Sequence, residues 1–480
     1  MQLKGKRGGA CWLASLRCCR RFFGAGLLFA VPLAVLAAGL PPSVSAALRQ
    51  AAIAEANVAV VVRPVEGGEA LVEHNAMLAM NPASAMKLVT TYAALELLGP
   101  AFTWKTAVLA DAPPKAGRVQ GNLYLRGSGD PRLAQEQFWL LLRQLRARGV
   151  HDIDGDLVLD RRAFEVPPHD PAAFDGEPLR PYNAGPDALL VSLNSVRLTL
   201  HPDTGRKAVA VIAESPAEGL RIDNRLQPDA GACGDWREKI NVAVSGGTLL
   251  LRGSFPLACG DKPLNLAPWS PDVHVERLFR ALWGELGGRL RGRVRAGETP
   301  ETALVVAEQA SPPLADVVRE INKFSNNVMA RQVFLSLAQA RPASAEAARV
   351  RVLGWLAEKG VEVPELVLDN GAGLSRSERI SAEGLSRLLL AAWRSPVMPE
   401  FMSSLPLAGI DGTLAKRLGN GAASGRAHLK TGYLAGVRAI AGYVLDASGK
   451  RWGVVFLIND PKAIAGKPAM DALLEWVAGR

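Results

Sequence analysis

The sequence predicts a multi-domain α/β protein: one α/β domain, with a central antiparallel sheet flanked by helices, interrupted by a large, mostly β insertion. Three observations carry this expectation. Helix-like and strand-like segments stand together at both ends of the chain. Between them lie about 200 residues of short β-like runs separated by Gly, Pro and Asp clusters. The 480 residues exceed a usual domain of roughly 150 residues about threefold.

The front of the chain reads as a helix over 47–56, a β-branched strand over 58–62, a Gly67-Gly68 turn and a second strand over 70–73. A helix over 84–98 follows, stopped by Gly99-Pro100. The middle carries strand-like runs over 121–126, 155–159, 196–201, 208–213, 240–244 and 248–252, with one helix expected at 133–148. Helices return over 313–324, 327–340, 344–359 and 382–393. Three strands over 427–433, 437–445 and 451–458, joined by short turns such as Ala447-Ser448-Gly449, read as an antiparallel meander, and a helix over 461–477 ends the chain.

A composition of 49% hydrophobic and 21% charged residues excludes a disordered chain and supplies a sizeable core. The formal charge of +10 invites a nucleic-acid reading, but its distribution argues against one. Lys4, Lys6, Arg7, Arg17, Arg20 and Arg21 precede an apolar stretch from Phe22 to Leu40 and the small residues Val44-Ser45-Ala46. That order reads as an export signal over 1–46, cleaved after Ala46; the alternative is an uncleaved anchor, since the stretch just reaches the ~20 residues that span a bilayer. Removing the six cations takes the charge from +10 to +4, and no nucleic-acid partner is expected. Cys11, Cys18 and Cys19 leave with the signal. Cys233 and Cys259 remain as a disulfide candidate in an exported chain, with two unpaired buried thiols as the alternative.

Three short motifs could carry chemistry. In Ser84-Ala85-Met86-Lys87, Pro82 and the polar flank place Ser84 at the first turn of a helix, and the spacing of three puts Lys87 on the same face. A desolvated lysine there can take a serine proton; a capping serine with a solvated lysine is the bland alternative. Ser325-Asn326-Asn327 lies between two amphipathic helices, where an ordinary polar turn would also fit. Lys430-Thr431-Gly432 lies on the first strand of the terminal meander, where a charged edge-strand residue would also fit. Their joint occurrence in this order is harder to attribute to chance. The six histidines are scattered, and no zinc, phosphate-loop or dinucleotide motif is present, so neither metal nor cofactor is expected.

The set Ser-x-x-Lys, Ser-x-Asn and Lys-Thr-Gly is that of penicillin-binding proteins and serine β-lactamases. The chain resembles the D-alanyl-D-alanine carboxypeptidase/endopeptidase family, the class C low-molecular-mass penicillin-binding proteins. Besides the motifs, Gly127-Ser128-Gly129-Asp130-Pro131, Tyr182-Asn183-Ala184, Asn194-Ser195-Val196, Gly371-Ala372-Gly373-Leu374-Ser375-Arg376 and Leu405-Pro406-Leu407-Ala408-Gly409-Ile410-Asp411-Gly412-Thr413-Leu414 carry the resemblance. The long interval between the first and second motifs is itself typical of that family.

The resemblance implies a serine β-lactamase/DD-peptidase-like domain over 47–100 and 301–480, with 101–300 inserted as two small nested domains. It implies Ser84 as nucleophile, Lys87 as general base, Ser325 as proton relay and Asn327 as the residue that orients Lys87 and binds the substrate amide. Lys430 and Thr431 would hold the terminal carboxylate, Gly432 completes that motif, and the backbone N–H groups of Ser84 and Tyr433 would form the oxyanion hole. The implied activity is hydrolysis of terminal D-Ala-D-Ala, and of D-Ala-diaminopimelate cross-links, in peptidoglycan stem peptides in the periplasm. β-Lactam antibiotics would act as covalent inhibitors. Peripheral membrane association fits the resemblance, and no oligomeric state is assigned. Ala372 stands where relatives carry Ser, which would alter a rim contact. The rival readings are a serine β-lactamase, for which Glu365 would have to serve the deacylating water, and a non-catalytic wall-binding protein on the same fold.

Overall fold

Two ends of the chain, far apart in sequence, build one sheet. The structure, a computed structural model, describes residues 39–480. Its central sheet has the strand order Ala427–Leu434, Val437–Leu445, Arg451–Asn459, Val58–Pro64, Val72–His74, and every neighbouring pair is antiparallel. The N-terminal strand therefore closes on the C-terminal meander, with Val58 opposite Ile458 and Pro64 opposite Trp452. Val58–Val62 reads as continuously apolar because the sheet is covered on both faces. Ala59 and Val61 face a core shared with the helices Lys87–Leu97, Leu314–Phe324, Asn327–Ser336 and Ala382–Trp393. Val58, Val60 and Val62 face the helices Pro42–Gln50 and Lys467–Ala478.

The first helix departs from expectation. It runs Pro42–Gln50 and not over 47–56, because Pro42 occupies a first-turn position and Ala52, at φ 51°, turns the chain back. Val44 and Leu48 are fully buried in the second core. The cleavage position expected after Ala46 thus falls inside a packed helix, and the rest of the expected signal, 1–38, lies outside the described residues. Among the described residues no helix is long and apolar enough to cross a membrane.

The interrupting region has two cores of its own. In the first, a five-stranded sheet of order Val294–Ala296, Leu157–Asp160, Leu123–Arg126, Lys105–Ala110, Leu304–Ala310 packs against two helices, Gln135–Ala147 and Pro271–Glu285. The second helix was not expected, although Val275, Leu278, Phe279, Leu282 and Trp283 repeat with helical spacing behind Ser270-Pro271. Leu304–Ala310 pairs with Lys105–Ala110, so this strand, which the expected boundary at 300/301 puts with the C-terminal part, joins the sheet of the interrupting region. The other core joins two three-stranded sheets within 196–266, one of them including Arg221–Asp229, a largely exposed strand paired in parallel with Thr248–Pro256. Cys233 and Cys259 are joined by a disulfide at this core.

Candidate active site

Ser84 sits on a tight turn. Residues Ala83–Met86 form a 3-10 turn that continues directly into the Lys87–Leu97 helix, where the sequence reading expects α-helix from 84 onward. Ala83 has φ 46°, an uncommon conformation for a non-glycine residue, and its neighbours hold it there. The Ala83 N–H donates to Asn81 Oδ1 at 2.8 Å. Asn81 in turn exchanges two hydrogen bonds with Asn459 on the last strand: its N–H donates to Asn459 Oδ1 at 2.8 Å, and Asn459 Nδ2 donates to its carbonyl at 3.0 Å. The serine turn is thereby fastened to the central sheet.

Lys87 is fully buried, and its Nζ lies 3.0 Å from Ser84 Oγ and 2.6 Å from Asn327 Oδ1, with the Ala372 carbonyl as a third, close partner. Burial holds its pKa well below the ordinary lysine value, and the charges of Lys430 and Arg331 add to this against an opposing contribution from Glu378. A neutral amine within hydrogen-bond distance of a serine hydroxyl can remove that hydroxyl's proton.

The second motif is set by a helix break. Ser325, at φ 57°, ends the helix Leu314–Phe324 in the left-handed conformation, and Asn327 begins the helix Asn327–Ser336. Asn326 caps that helix, its Oδ1 accepting the Met329 N–H at 3.0 Å, which is why it faces away from Lys87 while Asn327 faces it. A cleft of about 480 Å³ beside Ser325 and Asn327 is lined from the interrupting region by Arg180, Tyr182 and Arg237.

Lys430 is likewise fully buried, on the edge strand, and donates to Ser325 Oγ at 2.8 Å and to the Thr431 carbonyl at 2.7 Å. Burial lowers its pKa to about 7. Thr431 Oγ1 lies 2.9 Å from Thr413 Oγ1. Gly432 packs so tightly on the serine turn that a Cβ there would sit 2.6 Å from the Pro82 carbonyl oxygen. Tyr433, the next residue, is exposed, with the Arg438 guanidinium 4.1 Å from its ring centre.

The structure thus bonds Ser84, Lys87 and Asn327 into one cluster and Ser325 with Lys430 into another, and Thr431, Gly432 and Tyr433 continue the strand past them. Cys233 and Cys259 belong to a separate core. Sequence reasoning missed the support beneath. Ala372 is fully buried, so its role is its carbonyl on Lys87 and not the rim contact expected of it. Its loop is held by the buried Glu378, whose Oε1 accepts the N–H groups of Asp369, Asn370 and Gly371 at 3.2, 3.1 and 3.0 Å. Lys323, beneath Ser325, donates to both Asp411 carboxylate oxygens, at 2.9 and 2.7 Å, and to the Leu405 carbonyl at 2.6 Å. Asp411 lies within the Leu405–Leu414 segment that the resemblance cites, which is the one sequence signal for this pair.

Known proteins share this architecture. The chain is 32% identical over 446 residues to the D-alanyl-D-alanine carboxypeptidase of Actinomadura sp. strain R39, covering 86% of this chain and 79% of that one. It is 25% identical over 408 residues to the D-alanyl-D-alanine carboxypeptidase DacB of Haemophilus influenzae, covering 84% and 85%. The crystal structure of penicillin binding protein 4 from Haemophilus influenzae superposes with a TM-score of 0.75 at 24% identity, covering 90% of this chain and 99% of that one. A predatory endopeptidase of Bdellovibrio bacteriovorus has the same fold at a TM-score of 0.53 and 15% identity, with 88% and 94% covered. The D-Ala-D-Ala carboxypeptidase 3 (S13) family matches residues 40–479, and with nearly every described residue inside that match the chain belongs to this family.

Proposed function

We propose that the protein is a periplasmic serine DD-peptidase that hydrolyses terminal D-Ala-D-Ala, and D-Ala-diaminopimelate cross-links, in peptidoglycan. The observation that carries the reading is the contact of a buried, proton-poor Lys87 with Ser84 Oγ at 3.0 Å. In this reading Ser84 Oγ attacks the carbonyl carbon of the penultimate D-alanine while its proton passes to Lys87 Nζ. The N–H groups of Ser84 and Tyr433 take the developing oxyanion. The C–N bond then breaks, the proton returns through Ser325 to the leaving amine, and an ester on Ser84 remains. Water attacks the ester, releasing the shortened peptide and restoring the serine. Lys430 and Thr431 hold the terminal carboxylate by charge-assisted hydrogen bonds. β-Lactams enter as covalent acylating agents, as the penicillin G acylated predatory endopeptidase of Bdellovibrio bacteriovorus illustrates for that protein.

The catalytic domain in this reading comprises residues 42–100 and from about 311, with 101–310 inserted. Against the β-lactamase alternative, the Glu365 carboxylate it would use is engaged at the start of the helix Ala382–Trp393, where its Oε1 accepts the Ser381 N–H at 3.0 Å and the Ser381 hydroxyl. Mass spectrometry of penicillin-treated protein tests the proposal. A stable adduct on Ser84, together with release of D-alanine from muropeptides, is expected; rapid β-lactam turnover or no adduct overturns it.

A further inference from the structure

Beside the strand that carries Lys430 and Thr431 lies another cavity, of about 390 Å³, whose charged lining is entirely cationic: Lys416, Arg417, Arg438 and Lys467. It reaches Thr431 and Gly432, so it opens directly onto the third motif. Arg417 Nε donates to Asp471 Oδ1 at 2.5 Å, which neutralises one cation of the four. The remaining donors are poorly satisfied: Arg417 Nη2 and Arg438 Nε are buried with no acceptor. Burial lowers the pKa of the Arg438 guanidinium, and the like charge of Arg417 adds to that effect. Buried guanidinium N–H groups without acceptors are costly, and the three cations left without a carboxylate around one cavity repel one another. Lys467 also opens the helix Lys467–Ala478, whose dipole favours negative charge near its start. An anion in the cavity offsets the repulsion among these cations.

We infer that this cavity is a leaving-side anion site, which takes a carboxylate carried on the side chain of the leaving residue. The inference rests on the proposed function, in which the main-chain carboxylate of that residue lies on Lys430 and Thr431. A leaving D-alanine ends in a methyl group and leaves the cavity empty. A leaving diaminopimelate, joined to a second stem peptide, extends past Thr431 and bears further carboxylates that match the cationic lining of the cavity. The bond broken is the same amide in both cases; the cavity discriminates between the two leaving groups.

The test compares two substrates on the full chain: an acylated D-Ala-D-Ala peptide, and a purified cross-linked muropeptide dimer. For Arg438→Gln, and for Lys416→Gln combined with Lys467→Gln, kcat/KM on the dimer relative to the peptide is expected to fall about tenfold, through KM, as for one lost charge-assisted hydrogen bond. Lys467→Glu should lower the ratio further than Lys467→Gln, and added salt should lower it in the wild type. Labelling by fluorescent penicillin reports that each variant is folded. An unchanged ratio in every variant overturns the inference. So does a wild type that releases D-alanine yet neither cleaves the dimer nor is inhibited by it, a result that leaves the proposed function standing. A wild type inactive on both substrates removes the proposed function and this inference with it.

Discussion

Lys87 and Lys430 are both fully buried, and the charge of Lys430 is among the causes that lower the proton affinity of Lys87. The two lysines are asked for opposite states. In the proposed mechanism Lys87 must be neutral to accept the Ser84 proton, and Lys430 must be charged to hold a carboxylate. Acylation should therefore rise with pH as Lys87 loses its proton and fall as pH passes about 7, where Lys430 loses its own. Stopped-flow acylation by a penicillin across pH 5–10 is expected to give a bell. Lys430→Arg, which keeps its charge throughout, should move the falling limb upward.

Asn327 Oδ1 lies 2.6 Å from Lys87 Nζ, so it is the position from which the lysine can be retuned. Asn327→Asp places a negative charge there, favours the ammonium form, and should shift the rising limb to higher pH. Lys87→Met removes the base altogether and should slow acylation by about 10²–10⁴-fold, the usual worth of a positioned general base. Both are read from the same acylation rates. An Asp variant with an unshifted limb would show that Lys87 does not set it.

Much of this site was legible in the sequence because its chemistry is local. A serine and lysine three apart need only one helical turn to meet, and Lys430-Thr431-Gly432 falls within a β-branched meander that pairs as its pattern suggests. What was not legible depends on contacts between distant segments. Asn81 and Asn459 are polar residues beside a turn and a strand end until their reciprocal hydrogen bonds are seen. Glu378, in a run of Ser, Arg and Glu, reads as solvated, yet it is fully buried because three backbone N–H groups converge on it. The strand Arg221–Asp229 escaped because only Leu226 is buried along it, which erases the alternation by which a strand is recognised. The sheet that Leu304–Ala310 joins was not legible because this strand finds its partner back at Lys105–Ala110, a pairing that local pattern cannot register.

The burial of Lys430 also makes stability depend on pH. Its folded-state pKa of about 7 lies below the ~10.4 of an unfolded lysine, so between these values the unfolded chain binds more protons. Stability should rise with pH across that window, and the cost of burying the ammonium is greatest below pH 7. Lys430→Met removes this term. The Tm of the variant minus that of the wild type is expected to be largest near pH 6 and to shrink toward pH 10; a constant difference would mean that Lys430 does not titrate in this way.

Cys233 and Cys259 close a loop with a sequence separation of 26 within the second core of the interrupting region. Chain-entropy arguments assign such a cross-link about 3 kcal/mol. Cys233→Ser combined with Cys259→Ser should loosen residues 196–266, seen as faster hydrogen exchange there. Acylation of Ser84 should change little, since both cysteines lie outside the core that holds Lys87. Loss of acylation together with that local loosening would show that the inserted region supports the site more directly.

Gly373 joins the loop that carries the Ala372 carbonyl to the turn that carries Ser84. It has φ 77°, and a Cβ there would lie 1.9 Å from the Ala83 carbonyl oxygen and 2.7 Å from Ser84 Cα. No side chain can be fitted without moving either the serine or the carbonyl that contacts Lys87. Gly373→Ala combines this clash with a left-handed backbone that alanine disfavours, and should cost about 1–3 kcal/mol of stability. Displacement of Ser84 by even about an ångström is enough to slow acylation some 10²-fold. Circular dichroism should show a folded protein with a lowered Tm, and penicillin labelling should be slow but still confined to Ser84; labelling at the wild-type rate would mean that the turn relaxes without moving the serine.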